Sequence, residues 1–538
     1  VSDANEPPLT EERLAQLLEI GVALSAEQDT DRLLERILGG ARALTGADAG
    51  TVYRARDGHL HFDTVQNDSL GLQLGGTSGE PIDFPPLPLR ADDGTPNNRN
   101  VAAYAAVHGE TVRIDDAYDA QGFDFSGARA MDARTGYRSQ SFLTVPLRDH
   151  EQTVIGVLQL INAVRDGETV PFSPRDARIA ESLASQAAIA LTKQGLIDAQ
   201  RQLFESFTEV LARAIDRKNP TTGRHCERVP QLTLMIADAA CRTSRGPLAD
   251  YRLSAEQHEE LRLAAWLHDC GKVTTPEAVV NKATKLERQV DAIDEVATRA
   301  AVVRQEGEAE RLRRHLGGDE LEAARADADY RALCQRLDDD LAFLRSANIG
   351  GEAMDDAARE RVAAIADAYS WTDATGHRQP LLTAGEVEHL QIRRGTLSDA
   401  EMEQMRDHVR VSREMLEQLT YPRHLQRVPE IASQHHERMD GGGYPDGITG
   451  AQMSRRARMM ALADVFEALT AADRPYKPGK KLSEAVRIMG FMTEGGHFDP
   501  ELFDVFIREG VYLDYARHFM HPEAIDEVDE AAIPGYRP

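Results

Sequence analysis

His435-His436-Glu437-Arg438-Met439-Asp440-Gly441-Gly442-Gly443-Tyr444-Pro445-Asp446-Gly447 sets two adjacent imidazoles and a carboxylate directly before a glycine-rich turn closed by Tyr-Pro. Neutral imidazole is a common ligand of transition metals. The glycines let backbone approach a ligand closely or adopt positive φ. Alone, a His pair is more often structural than catalytic. This one has company in His268-Asp269 upstream and Asp464 downstream.

Taken in order, the candidates are His225, His268-Asp269, His408, His435-His436 and Asp464. All fall on predicted helices or at their ends, and a helical bundle can aim side chains from several helices at one interior point. Five imidazoles and two carboxylates exceed the needs of one ion. The set suits two ions sharing a carboxylate, which the adjacent His-Asp is well placed to supply. Two ions ~3.5–4 Å apart clamp a phosphodiester and activate water at neutral pH. Mixed imidazole and carboxylate ligation favours iron, manganese or zinc over magnesium or calcium.

The chain around these residues reads as mainly helical after a break at Asp216–Gly223, and no run there alternates convincingly as strand. His225 to Pro230 opens a helix, since Pro is tolerated in a first turn. Leu261 to His268 is another. Ser398 and Glu401 form a capping box for a helix through His408 to Leu419. Ala457 to Leu469 carries Asp464, and helices around Leu482 to Met492 and Pro500 to Phe519 follow. Between about Glu287 and Arg394, Ala, Arg, Glu, Asp and Leu dominate. That stretch reads as a solvated helical hairpin of two or three long helices with a structural or contact role. His315, His377 and His389 within it read as surface residues, and Trp266 as core.

His268-Asp269 followed by Gly271-Lys272, with His435-His436-Glu437, Gly443-Tyr444-Pro445 and Arg474-Pro475-Tyr476, resembles the HD-GYP subgroup of HD-superfamily phosphohydrolases. The resemblance covers about residues 218 to 520, with an insertion at about 288–394. It implies an all-α domain that hydrolyses cyclic di-GMP to linear pGpG, or on to GMP, at a non-haem iron or manganese centre. Carried over, the metal ligands are His225, His268, Asp269, His408, His435, His436 and Asp464. Asp269 resembles the bridging carboxylate, and with His268 and Lys272 forms the catalytic set. Lys272 resembles the lysine on the scissile phosphate. Arg474 and Lys477 resemble a cationic pair that holds guanine or phosphate, while Tyr444 and Pro445 belong to the substrate-side loop. Glu437 reads as a supporting group rather than a ligand. Trinuclear members carry a Glu four residues before the first His. Here that position is Thr221, a poor substitute ligand, so two ions are expected, with pGpG as the main product.

The first 200 residues differ. Residues 1–10 read as a disordered tail, and residues 11 to 50 as helix, with Thr30 as a cap. Short strands follow at Thr51–Tyr53, His59–Phe62 and Thr111–Ile114, and Asn67 to Asn100 reads as loop. Ser141–Leu147 and Val154–Asn162 make a hairpin. With Thr135-Gly136-Tyr137-Arg138-Ser139, Asn162, Phe172 and Asp176, this region resembles a GAF domain, a sensor fold with an antiparallel sheet and flanking helices, over residues 11–192. Ala163 and Ala177 replace the Lys and Glu of the cyclic-nucleotide-binding signature, and no cysteine precedes Cys226 to hold a thioether-linked bilin. The ligand, if any, stays open beside a pure dimerisation role. A helix from Asp176 to about Ile215 follows. Over residues 193–217 it reads as a connecting signalling helix whose Ile189, Leu196, Leu203, Phe207, Val210 and Ala214 suit a homodimeric seam.

Length and charge bound the rest. The 538 residues predict two to four domains. A net charge of −27 argues against binding nucleic-acid polymers, which relies on Lys and Arg. No apolar run reaches the ~18 residues of a membrane span, and four cysteines without a framework fit a reducing, cytoplasmic setting. The leading expectation is a GAF-regulated cyclic di-GMP phosphodiesterase. The alternatives are a non-catalytic binding module and a phosphodiesterase for cyclic GMP-AMP.

Overall fold

The computed structural model describes residues 19–23, 27, 29–91, 93–218, 224–288, 290–350, 353–471 and 479–537. The expected tail, Thr221, Arg474 and Lys477 lie outside them. The chain divides into two compact units, Val1–Phe204 and Glu205–Pro538. No helix among the described residues is long and apolar enough to cross a membrane.

In the first unit, helix α1 (Thr30–Thr45) presents Leu33, Leu34, Ile37, Leu38, Ala41 and Leu44 to the core. Its cap is Asp29, one residue before the expected Thr30, because the Asp29 side chain reaches the Arg32 amide. The strands are β1 (Ala47–Arg56), β2 (His59–Asn67), β3 (Leu72–Gly75) and β4 (Leu87–Pro88). Helix α2 (Val101–His108), β5 (Val112–Ile114), α3 (Ser126–Thr135), β6 (Phe142–Arg148), β7 (Val154–Arg165) and β8 (Glu168–Val170) follow. The sheet runs β3-β2-β1-β7-β6-β5, every pairing antiparallel, with β4 on β2 and β8 on β7. The expected hairpin is β6–β7. The 67–100 stretch, expected as loop, contains β3 and β4, which gain backbone partners along β2 despite their Gly and Pro neighbours.

The residues shared with the cyclic-nucleotide signature brace this fold. Asn162 adopts φ 57° and its Oδ1 accepts the amides of Gln140 and Ser141. Its Nδ2 donates to the Tyr137 hydroxyl and the Arg138 carbonyl. Phe172 is buried in the core. Asp176 accepts from the Ser173 amide and hydroxyl and pairs with Arg165 at 2.9 Å.

Helix α4 (Pro174–Lys218) runs 45 residues. Its first turns pack Ile179, Ala180, Leu183, Ala184, Ala187 and Ala188 into the core of the first unit. The division between units falls inside this helix, because its last turns join the second core through Ile215.

The second unit is built from α5 (His225–Arg242), α6 (Ala255–Leu267), a 3-10 turn at Cys270–Thr274 and α7 (Glu277–Val280). After the insertion come α12 (Asp399–Glu417), α13 (Val428–Ser433), α14 (Arg455–Thr470), α15 (Leu482–Glu494), α16 (Pro500–Arg508) and α17 (Val511–Phe519). Their apolar faces meet in one core around Ile236, Leu261, Ala463, Phe466, Phe503 and Phe506. Capping boxes start α6 (Ser254 with Gln257) and α12 (Ser398 with Glu401). Pro230 lies one turn further inside α5 than expected.

The insertion is more than a solvated hairpin. Helices α8 (Ile293–Leu316) and α9 (Glu320–Asn348) form the long pair, followed by α10 (Asp356–Ala368), strands β9 (Ser370–Thr372) and β10 (Arg378–Pro380), and α11 (Ala384–Leu390). Val296, Ala300, Leu337, Leu344, Val362, Ile365, Leu381 and Leu390 make a separate core. The β9–β10 pair corrects the expectation that no strand follows residue 223. Three-residue strands are too short to alternate visibly in sequence.

Candidate metal centre

Three imidazoles of the second unit's interior are each aimed by a local backbone device. Nδ1 of His268 donates to the Ala265 carbonyl at 2.8 Å, and Nδ1 of His435 to the Ala432 carbonyl at 2.6 Å. Nδ1 of His408 donates in the same way to Met405. In all three the acceptor lies three residues back, near the helix end for His268 and His435 and inside α12 for His408, and a carbonyl can only accept. The Nε2 atoms are thereby left as free lone pairs. His225, the first residue of α5, is fixed differently: its Nδ1 donates to Glu467 on α14 at 2.5 Å.

The free atoms converge. His225 Nε2 lies 3.2 Å from Asp464 Oδ1 and 3.4 Å from Asp269 Oδ2. His268 Nε2 lies 3.3 Å from Asp269 Oδ2. On the other side of the same carboxylate, Asp269 Oδ1 lies 3.2 Å from His408 Nε2 and 3.9 Å from His435 Nε2. His436 closes the group, its Nδ1 3.9 Å from Asp464 Oδ2. Three triplets have ligand atoms within 4.8 Å of one another: His225, His268 and Asp464; His268, Asp269 and His435; His408, His435 and His436. All seven expected ligands thus meet in one place.

The residues present fit divalent ions. Among the described residues, Nε2 of His225, His268, His408 and His435 and Oδ1 of Asp269 are buried without a hydrogen-bond partner. A buried unsatisfied polar atom costs about 1–3 kcal/mol, so five at one point are intelligible as ligand atoms. The electrostatics agree at His435, His436, Asp269 and Asp464 but not at His225. Burial, with His436 and His268 beside it, drives His435 well below its ordinary value, and burial pushes His436 down to about 3. Both are therefore neutral, the ligand form. Burial opposes ionisation of Asp269, yet His268 and Lys272 hold its carboxyl well below the ordinary range. Asp464 is likewise held low against burial by His225. His225 moves the other way, since Glu467, Asp269 and Asp464 outweigh its burial.

The turn bearing Asp269 depends on Gly271. A Cβ there would stand 2.1 Å from the His408 carbonyl oxygen and 2.6 Å from the Ser412 amide. The Gly271 amide instead donates to Ser412 Oγ at 2.8 Å, seating the His-Asp turn on α12. Lys272 folds back so that Nζ lies 2.5 Å from Asp269 Oδ2.

The glycine-rich loop is pinned beside the cluster. Glu437, fully buried, accepts the amides of Asp446 and Ile448 at 2.7 and 3.0 Å. Arg413 on α12 forks onto Asp446. A Cβ on Gly443 would meet the Glu437 Cα and the Arg438 amide at 2.5 Å. The Tyr444 ring consequently lies against His436, centroids 4.8 Å apart at 32°. Sequence reading missed Glu467 as the partner of His225 and Arg413 as the anchor of the loop. The first had a signal: Asp464 and Glu467 are three apart on one helix.

Residues 29–191 match the GAF domain family. Residues 222–372 match one HD domain family and residues 342–502 another. The chain carries a GAF domain followed by a largely helical HD-domain region. Over 119 residues it is 41% identical to a cyclic di-GMP phosphodiesterase of Pseudomonas aeruginosa, covering 22% of this chain and 28% of that protein. Over 138 residues it is 36% identical to a cyclic di-GMP phosphodiesterase response regulator of Xanthomonas campestris, covering 25% and 36%. Over 81 residues it is 47% identical to a 3'3'-cGAMP-specific phosphodiesterase of Vibrio cholerae, covering 15% and 19%. The matched stretches thus span roughly a fifth to a third of these relatives' lengths. Among solved structures, a GAF domain/HD domain protein from Geobacter sulfurreducens is 18% identical with a TM-score of 0.23, covering 33% of this chain and 98% of that one.

Proposed function

We propose that this protein is a metal-dependent cyclic di-GMP phosphodiesterase of the HD-GYP kind, regulated through its GAF domain. The carrying observation is the split of the Asp269 carboxylate, Oδ2 toward His225 and His268, Oδ1 toward His408 and His435. That arrangement supports two ions, with His225, His268 and Asp464 holding one and His408, His435 and His436 the other. Two bound iron or manganese ions would activate water and offset charge on a phosphodiester. Lys272 is positioned to exchange its contact with Asp269 for one with the scissile phosphate. Tyr444 and Pro445 wall the substrate side. Arg474 and Lys477 keep their proposed role in holding the ligand. With Thr221 in place of a carboxylate, the product we propose is linear pGpG. Four free cysteines support a cytoplasmic setting.

Regulation has a physical route in α4. Near its C-terminal end Arg213 pairs with Glu227 at 2.8 Å, and Asp216 accepts the Cys226 amide at 3.1 Å. These contacts hold the two residues that follow His225. A shift or rotation of α4 would therefore bear on one metal ligand.

Cyclic GMP-AMP is the second reading, favoured by the 47% identity to a relative named for that substrate. The test is incubation of iron- or manganese-loaded protein with each cyclic dinucleotide and chromatography of the products. Accumulating pGpG is expected. Binding without turnover would overturn the enzymatic reading, and preference for cyclic GMP-AMP would select the second.

A further inference from the structure

A cyclic dinucleotide carries two phosphodiesters, and only one can lie at the metal cluster. The other needs a cation that the protein has not already neutralised. Helix α12 carries three arginines, Arg406 and Arg410 exposed and Arg413 half-buried, and their partners differ. Arg410 is engaged by Asp407 and Glu414, and Arg413 by Asp446. Arg406, two residues before His408, has no carboxylate within ion-pair distance among the described residues. In a chain with 89 acidic and 62 basic residues, its charge is left available to an anionic ligand.

Arg406 is also placed. Its guanidinium carbon stands 5.5 Å from the Tyr444 ring centroid. Tyr444 in turn lies on His436, whose side chain is 25% exposed while those of the other four imidazoles are nearly or fully buried. Arg406, Tyr444 and His436 therefore form a ladder from solvent to the open side of the cluster. The loop holding Tyr444 is anchored to the same helix through Arg413.

We propose that Arg406 is a specificity-determining residue that grips the non-scissile phosphodiester of the cyclic dinucleotide. Guanidinium pairs with phosphate through two parallel N–H···O bonds, and its contact with an aromatic face pre-orders it for that role. Lys272 and Arg406 then each hold one of the two phosphates of the ring. This rests on the cyclic-dinucleotide reading above.

The experiment compares Arg406→Ala and Arg406→Lys with the unsubstituted, metal-loaded full chain on two substrates. One is cyclic di-GMP; the other is bis(p-nitrophenyl) phosphate, which has a single phosphodiester. The expected result for Arg406→Ala is a rise in KM for cyclic di-GMP of roughly ten- to a hundredfold, in line with loss of a charge-assisted hydrogen bond. The loss in kcat/KM on the small substrate should be at least about tenfold less. Arg406→Lys should recover part of the affinity, since charge remains and the fork does not. Equal losses on both substrates would overturn the inference, because they would mean that Arg406 acts by propping Tyr444 and His436. Unchanged KM would overturn it as well. No turnover of cyclic di-GMP by the unsubstituted protein would instead remove the functional reading, and this inference with it.

Discussion

A single proton separates a good metal ligand from a poor one, and this chain controls it at Nδ1 of each buried imidazole. His268, His408 and His435 spend Nδ1–H on carbonyls three residues back. His225 spends it on a carboxylate, Glu467, which raises the basicity of Nε2. Substituting Glu467→Gln should therefore weaken metal affinity about 10- to 100-fold while leaving the fold intact. Competition against a chelator, with circular dichroism as the control, measures it; unchanged affinity would remove Glu467 from the site. Asp269 carries a stricter expectation, because one side chain serves both halves of the cluster. Asp269→Asn keeps the shape but loses the charge and one acceptor oxygen. Metal content should fall from about two ions per chain to about one or fewer, and cyclic di-GMP turnover to background. Two ions retained by the variant would contradict the shared carboxylate.

Elements explain why some of this was legible and some was not. The ligands could be named from sequence because they are rare residue types in adjacent pairs, and the capping box at Ser398 announced the helix that carries His408. Glu467 showed in sequence only by its spacing from Asp464, because its partner lies 242 residues away. The insertion's core was masked in the same way. Ile293, Val296, Ala300 and Val303 hold helical spacing, but the charged residues around them dominate the composition. Gly271 reads as part of a motif, yet its reason is the α12 backbone, more than 130 residues later. Gly271→Ala should force the 3-10 turn off α12. Overpacking of this kind costs about 1–3 kcal/mol or more, so a lower melting temperature is expected together with loss of metal. A variant with normal stability and metal content would show that the turn can move without cost.

At the scale of the whole molecule, the question is what α4 does between two units that each have their own core. Its first turns are buried in one and its last turns join the other. Between and opposite these contacts it leaves apolar residues in solvent. Ile189, Leu196, Leu203 and Val210 recur every seven residues and are 61–72% exposed, and Phe207 is 58% exposed. A strict seven-residue repeat on one helix face suits pairing with an equivalent helix. Each such side chain buried contributes about 1.5–3 kcal/mol. Lys193 and Gln200 interrupt the seam, where polar residues set register at some cost in stability. We therefore expect the full chain to be a homodimer through this helix. Leu196→Glu with Leu203→Glu should convert it to a monomer by light scattering, with little change in melting temperature of either unit, since both residues are already exposed within one chain. The same variant should lose any dependence of turnover on the GAF domain while retaining metal, because the α4 contacts next to His225, Arg213 to Glu227 and Asp216 to Cys226, do not involve the substituted residues. A double variant that remains dimeric would place the contact elsewhere. A monomer with unaltered regulation would show that α4 acts within a single chain.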